Sequence, residues 1–181
     1  MSTVGLVVGN PKARSRTLAL AEQVAAAAGG AAGLDAADRL TVDLADYGPD
    51  LFDWSSLRVK EAHDGICSCS LVVVASPTYK ASYTGLLKSF LDRFNTTDLE
   101  GVTVVPVMTG AGAHHALAVE VHLRPLLLEL GATLPTRGLY VTEGELAEAD
   151  VAITTWLGAA GPQLRRAAAA PGDPSHATGV D

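Results

Sequence analysis

Leu71-Val72-Val73-Val74-Ala75-Ser76-Pro77-Thr78-Tyr79-Lys80-Ala81-Ser82-Tyr83-Thr84-Gly85-Leu86-Leu87-Lys88-Ser89-Phe90-Leu91-Asp92-Arg93-Phe94 reads as a buried strand, a polar loop and a helix. The run from Leu71 to Ala75 has no polar alternation, which suits a strand covered on both faces, as in a parallel sheet. Pro77 cannot donate to a sheet ladder, so the strand is expected to stop before it. The chain restarts at Ala81, and Leu86, Leu87, Phe90, Leu91 and Phe94 fall at helical spacing on one face. Small and polar residues between a buried strand and a helix sit where open α/β sheets place ligands.

The same alternation extends to both sides. Val4 to Val8 is a first buried strand, followed by a loop from Gly9 to Thr17 and a helix from about Ser15 to Ala28. Ser15 is a natural N-cap, since its hydroxyl can accept a free N–H of the first turn. Gly29-Gly30 is expected to end that helix, with residues 30–38 as a connection. Leu40 to Leu44 is a second strand, and Ala45 to Ser56 a long surface loop carrying Tyr47, Pro49, Phe52 and Trp54. A helix from about Leu57 to Ser68 leads into the opening stretch. Val102 to Met108 is a fourth strand, and Pro106 within it points to a bulge or an edge position. A helix from about His114 to Leu130 follows, kinked or divided at Pro125 and stopped by Gly131. Leu139 to Thr142 is a fifth strand, and Glu145 to Gly158 a last helix. From Gly161 onward the composition turns to Ala, Pro, Gly, Ser and Arg, the signature of a mobile tail. Residues 1–160 are thus expected to form one domain and 161–181 a tail. Strand–helix alternation calls for a single parallel sheet with helices on both faces, and a five-stranded doubly wound α/β sheet is the leading topology.

Composition narrows the function classes. The 181 residues are 48% hydrophobic and 18% charged, a globular balance. A net charge of -7 argues against general nucleic-acid binding, which needs a basic surface. No apolar run is long enough for a bilayer span, and the start lacks the basic segment of a secretory signal, so a cytoplasmic location is expected. Cys67 and Cys69 are one residue apart, the wrong spacing for a redox Cys-x-x-Cys pair, and no companion set completes a zinc motif. They read as two reduced thiols.

Three loops at strand ends carry the chemistry. In the first, Asn10, Lys12, Arg14, Ser15, Arg16 and Thr17 precede a helix, whose free N–H groups and dipole favour a phosphate. It is neither a Walker A nor a Gly-x-Gly-x-x-Gly turn, and a solvated basic loop with an N-cap is the competing reading. In the second, Ser76 to Lys80 offers hydroxyls, Tyr79 and Lys80, either as a clamp on a planar ring or as an ordinary connection. In the third, Thr109-Gly110-Ala111-Gly112-Ala113 lets a ligand approach the backbone closely. His114 and His115 open the next helix without a carboxylate or Cys motif beside them, and His122 reads as packed or exposed, so no metal site is expected there. Neither a Gly-x-Ser-x-Gly elbow nor paired carboxylates supports a hydrolase.

Together these loops resemble those of the flavodoxin-like NAD(P)H-dependent FMN reductases of bacteria, among them the enzymes that supply reduced flavin to sulfonate monooxygenases. Gly9-Asn10-Pro11-Lys12 with Ser15-Arg16-Thr17 resembles the family's phosphate loop, although Asn10 replaces the usual Ser and Lys12 the usual Arg. Ser76-Pro77-Thr78-Tyr79-Lys80-Ala81-Ser82-Tyr83-Thr84-Gly85 is similar to its isoalloxazine loop. Thr109-Gly110-Ala111-Gly112-Ala113-His114 resembles its third flavin loop, and Leu123-Arg124-Pro125-Leu126 matches a Leu-Arg/Lys-Pro pattern in the following helix. The resemblance covers about residues 4 to 142. It implies a flavodoxin-like fold, FMN and NADPH or NADH as cofactors, and hydride transfer from the nicotinamide to the flavin with no side chain as acid or base. It also implies FMN contacts from Asn10, Lys12, Ser15, Arg16, Thr17, Pro77, Thr78, Tyr79, Lys80, Ser82, Thr109, Gly110, Ala111 and His114. Reduced flavin would pass to a flavin-dependent monooxygenase or another acceptor. Such enzymes are commonly homodimers or homotetramers, and the Tyr47 to Trp54 loop is the candidate contact. Some relatives carry an inserted Tyr that forms a π-bulge in the fourth helix; Val121 and His122 occupy that vicinity here. An FMN-bound quinone, azo or chromate reductase, or a flavodoxin-type electron carrier, would share the fold and loops.

Overall fold

The structure is a computed structural model that describes residues 3–34 and 39–169. The strands are β1 (Val4–Val8), β2 (Arg39–Asp43), β3 (Leu71–Pro77), β4 (Thr103–Gly110) and β5 (Leu139–Thr142). The α-helices are α1 (Arg16–Ala32), α2 (Leu57–Cys67), α3 (Gly85–Leu91), α4 (Arg124–Glu129) and α5 (Ala149–Ala169). All strand pairs are parallel and the order is β2-β1-β3-β4-β5. That is the doubly wound flavodoxin-like order, in which the chain reverses direction across the sheet between β1 and β3.

Side-chain alternation along the strands supplies two cores. Val72, Val74, Val104 and Met108 pack with Val59, Ile66, Phe90, Leu91 and Leu123 on the face covered by α2, α3 and the fourth helical segment. Leu71, Val73, Val105 and Val107 pack with Leu20, Val24, Ile153 and Leu164 under α1 and α5. With both faces covered, β1 is buried along its whole length, which is why it carries no polar alternation.

Several elements depart from expectation. Gly29 and Gly30 lie within α1, which ends instead at Gly33 in the left-handed region, φ 73°. A helical Gly costs only about 1 kcal/mol against Ala, and burial of Ala25, Ala28 and Gly29 outweighs it. Residues 30–32 are therefore helix rather than connection, and 35–38 lie outside the described residues. The stretch from Ala45 to Ser56 is built around 3-10 turns at Leu44–Asp46 and Gly48–Phe52. The Arg93 guanidinium holds it by donating to the carbonyls of Asp50, Leu51 and Asp53.

Both prolines expected to disturb strands lie inside the sheet. Pro77 is paired with Thr109 in β3. The Thr78 N–H reaches Thr109 O of β4, so the nitrogen at 77 faces the other side, past the end of β1 at Val8. Pro106 is neither at a bulge nor on an edge strand. Val104 N–H donates to Thr133 O on the β5 side, while β5 pairing begins only at Val107. The Pro106 nitrogen thus faces the detached segment between Thr133 and Leu139. In both places the missing donor falls where no acceptor strand runs.

Helical segments also shift. Lys80 and Ala81 have φ of 51° and 65°, so the third helix starts only after the Thr84 cap. The expected helix from His114 divides into a 3-10 turn at Ala113–His115, a π-helical turn at Val119–Leu123, and α4, with Pro125 in its first turn. Pro125 has no N–H to offer Val121 O, which favours the wider turn before it. The last helix begins after a 3-10 turn at Leu146–Glu148 and continues to Ala169. Leu164 is fully buried against α1, so residues 161–169 belong to the fold and not to a tail; 170–181 lie outside the described residues. Among the described residues no helix is long and apolar enough to cross a membrane.

Candidate functional site

The loops after β1, β3 and β4 emerge at the carboxyl edge of the sheet, where the topology places a ligand crevice. At α1, Ser15 adopts extended backbone and its Oγ accepts the Leu18 N–H at 3.1 Å. The cap leaves the Ser15 O–H proton and the N–H groups of Arg16 and Thr17 without a partner among the described residues, as expected for a first turn. Lys12 N–H closes a turn onto Asn10 Oδ1 at 2.9 Å. Arg14 takes φ 51°, held there by its N–H bond to the buried Asp43 carboxylate at the end of β2. Among the described residues neither the Lys12 nor the Arg14 side chain has an ion-pair partner, whereas Arg16 pairs with Glu143 at 2.9 Å.

Thr17 turns inward. Its hydroxyl accepts from Asn10 Nδ2 at 3.0 Å and lies 3.2 Å from Thr109 Oγ1. It is nearly fully buried and joins the first loop to the end of β4. Asn10 is committed to the same bond. The expected hydroxyl and amide donors of these two residues therefore serve loop geometry.

The second loop is a tight hairpin-like turn in which Tyr79 N–H bonds Ser82 O and Ser82 N–H bonds Tyr79 O. Lys80 and Ala81 at its tip both have positive φ, a conformation usually given to Asn-Gly. Thr84 anchors the turn to the first loop. Its Oγ1 caps α3 and donates to Gly9 O at 2.5 Å. Tyr79 is half exposed. Next to it, Thr78 Oγ1 is buried with no hydrogen-bond partner among the described residues, an uncommon state for a hydroxyl. In the third loop Gly110 is buried. A Cβ there would overlap the Tyr140 hydroxyl and come within 3.1 Å of Thr78 Oγ1. Tyr140 donates to Gly112 O at 2.9 Å and fixes the loop from β5.

A cleft of ≈ 300 Å³ opens between these pieces. Its walls include Asn10, Lys12, Ser15, Arg16, Thr17, Pro77, Tyr79 and Thr109 of the expected residues. Thr78, Lys80, Ser82, Gly110, Ala111 and His114 do not line it. Sequence reasoning missed Glu143 and Leu146 on its far wall. Their position just after β5, at the same sheet edge as the other loops, was the available signal. The residues lining the cleft fit a phosphate-bearing planar ligand: free N–H groups at a helix start, unpaired cations and an aromatic side chain.

His114 is exposed and His115 partly buried, their rings tilted against each other at 4.1 Å, with no carboxylate bonded to either among the described residues. Burial pushes the thiols of Cys67 and Cys69 up to about 11, which keeps both protonated.

A family model described as NADPH-dependent FMN reductase matches residues 2–145. The NADH-dependent FMN reductase SfnF of Pseudomonas putida is 38% identical over 90 residues, 50% of this chain and 48% of the relative. The chain thus spans about half the length of that relative. The FMN reductase (NADPH) of Pseudomonas aeruginosa PAO1 is 34% identical over 142 residues, 77% of this chain and 76% of the relative. Among solved structures, the apo form of the NADH:FMN oxidoreductase EMOB superposes with a TM-score of 0.80 at 29% identity, covering 97% of this chain and 93% of that one. The chain belongs to the NADPH-dependent FMN reductase family.

Proposed function

We propose that this chain is a cytoplasmic oxidoreductase that transfers hydride from NADPH or NADH to FMN. The observation that carries the reading is the convergence of free α1 N–H groups, unpaired Lys12 and Arg14 and half-exposed Tyr79 on one cleft. Family membership supports it. Bound FMN supplies a ring that accepts hydride at N5.

The protein's part is placement. The Arg16 and Thr17 N–H groups and the Ser15 hydroxyl would hold the phosphate, with the positive end of the α1 dipole behind them. Lys12, a point charge where the family usually has Arg, would offset the phosphate charge without a bidentate fork. Arg16, already paired with Glu143, would close the mouth. Tyr79 would cover the ring, and Thr78 Oγ1 with the glycine-lined backbone at 110 would meet its polar edge. Thr78, Lys80, Ser82, Gly110, Ala111 and His114 lie off the cleft wall, and the resemblance alone carries them as FMN contacts. No side chain is required as acid or base; fixed N–H donors near negative charge on the reduced ring lower the barrier by preorganisation.

The chain is further proposed to self-associate as a homodimer or homotetramer and to pass reduced flavin to a monooxygenase or another acceptor. Phe52, Trp54 and Leu57, each more than 70% exposed, support self-association.

The test is direct. The purified protein is expected to bind FMN at micromolar concentration, show a flavin spectrum, and oxidise NADPH or NADH when FMN is added. Absence of flavin binding sinks the proposal. Binding without nucleotide oxidation turns it toward an electron carrier, and turnover with quinone but not free FMN toward an FMN-bound quinone reductase.

A further inference from the structure

At the opposite end of the sheet, α2 and the turn after α3 bring His63, Cys67 and Asp98 together. The three potential ligand atoms lie within 4.8 Å of one another. His63 and Cys67 are four residues apart on α2, hence on one helix face. His63 Nε2 is 2.9 Å from Asp98 Oδ2 and 3.7 Å from Cys67 Sγ. A tetrahedral zinc ion with bonds of roughly 2.0 Å to nitrogen and oxygen and roughly 2.3 Å to sulfur separates N and O by about 3.3 Å and N and S by about 3.6 Å. The two distances from His63 thus lie within a few tenths of an ångström of those a bound ion would set.

We propose that His63, Cys67 and Asp98 form a binding site for a divalent transition-metal ion of zinc type, remote from the flavin cleft.

The surroundings favour a site over a plain His–Asp ion pair. His63 Nδ1 is 3.0 Å from Asp64 Oδ1. This is the carboxylate–histidine arrangement that holds a proton on one ring nitrogen and turns the other toward a metal. Phe94 packs on the same ring at 4.3 Å and fixes its plane. Asp98 is oriented by the Asn95 N–H at 2.9 Å and by the Asn95 amide. His63 and Asp98 are therefore each held by a second group. One thiolate and one carboxylate neutralise a dication, and the mixed N, S, O set suits zinc better than magnesium or calcium. Binding displaces the Cys67 thiol proton and the proton between His63 Nε2 and Asp98 Oδ2, while Nδ1 keeps its proton toward Asp64. Cys69 is not part of the site. It is buried, its thiol donates to Gly65 O, and it lies against Gly5 of β1.

The test uses the full chain, freed of metal and reduced, and titrated with Co²⁺. One equivalent is expected to produce a thiolate-to-cobalt charge-transfer band and tetrahedral visible bands, both erased by equimolar Zn²⁺. Zn²⁺ in hundredfold excess over its Kd is expected to raise the unfolding midpoint by roughly 5 °C or more. The band should vanish in Cys67→Ser and in His63→Gln and persist in Cys69→Ser, with circular dichroism confirming that each variant is folded. Absence of a thiolate band in the parent protein overturns the proposal whatever the variants do. So does a band that survives Cys67→Ser and disappears in Cys69→Ser.

Discussion

Thr78 presents a buried hydroxyl without a hydrogen-bond partner among the described residues, a costly state that a ligand or water would relieve. Replacing it with Val removes an unsatisfied polar atom at nearly constant shape. Thr78→Val is expected to fold at least as stably as the parent while its Kd for FMN rises roughly 2- to 10-fold, the worth of one hydrogen bond. Equal FMN affinity by fluorescence titration would remove Thr78 from the site. The buried Cys69 offers a pH counterpart. Its thiol is held up to about 11 in the folded chain, against roughly 8.5 in an unfolded one. Between those values the unfolded state has lost a proton that the native state keeps, so stability falls as pH rises through that window and is unaffected below it. Denaturant midpoints measured across it are expected to fall less steeply in Cys69→Ala.

The elements explain how the loops stay registered on one another. Gly9, where β1 gives way to the first loop, sits against α3. A Cβ there would lie 2.5 Å from Leu87 Cβ and 3.2 Å from Thr84 Oγ1, the atom that caps α3 and bonds Gly9 O. Gly9→Ala must push α3 outward and break that bond. It is expected to cost about 1–3 kcal/mol of stability and to weaken FMN binding through both loops, measured by thermal melts and titration. Much of this was legible in the sequence. The Leu71–Ala75 run, the Ser15 cap and the five alternations depend on local pattern, and local pattern predicts them. What was not legible depends on partners far away in the chain. Gly29-Gly30 looks like a stop until the packing of α1 against α5 carries the helix through it, with Gly29 buried and Gly30 exposed. Arg93 looks like a surface charge until it reaches three carbonyls of the 50–53 turn. The Thr17 hydroxyl looks free for a phosphate until Thr109 and Asn10 engage it. The same applies to Cys67, whose companions His63 and Asp98 meet it only after the chain has folded.

Across the whole molecule, function is expected to be divided between the two ends of the sheet, with the flavin cleft at the carboxyl edge and the His63–Cys67–Asp98 cluster at the other. A third surface is the aromatic one formed by Phe52 and Trp54, both more than 70% exposed, where Arg93 lies 5.1 Å over the Trp54 ring. The double variant Phe52→Ala, Trp54→Ala is expected to lower the native mass measured by light scattering while leaving the monomer folded. An unchanged mass would free this surface from any role in assembly. The prolines have a consequence of a different kind. Pro77 and Pro106 each stand in an interior strand at a point where the neighbour on the nitrogen side is absent. If β5 began pairing two residues earlier, it would present a carbonyl to Pro106 that nothing could answer. The two rings therefore act as stops that forbid misaligned ladders, and the sheet carries its own proofreading against slipped assembly while it folds.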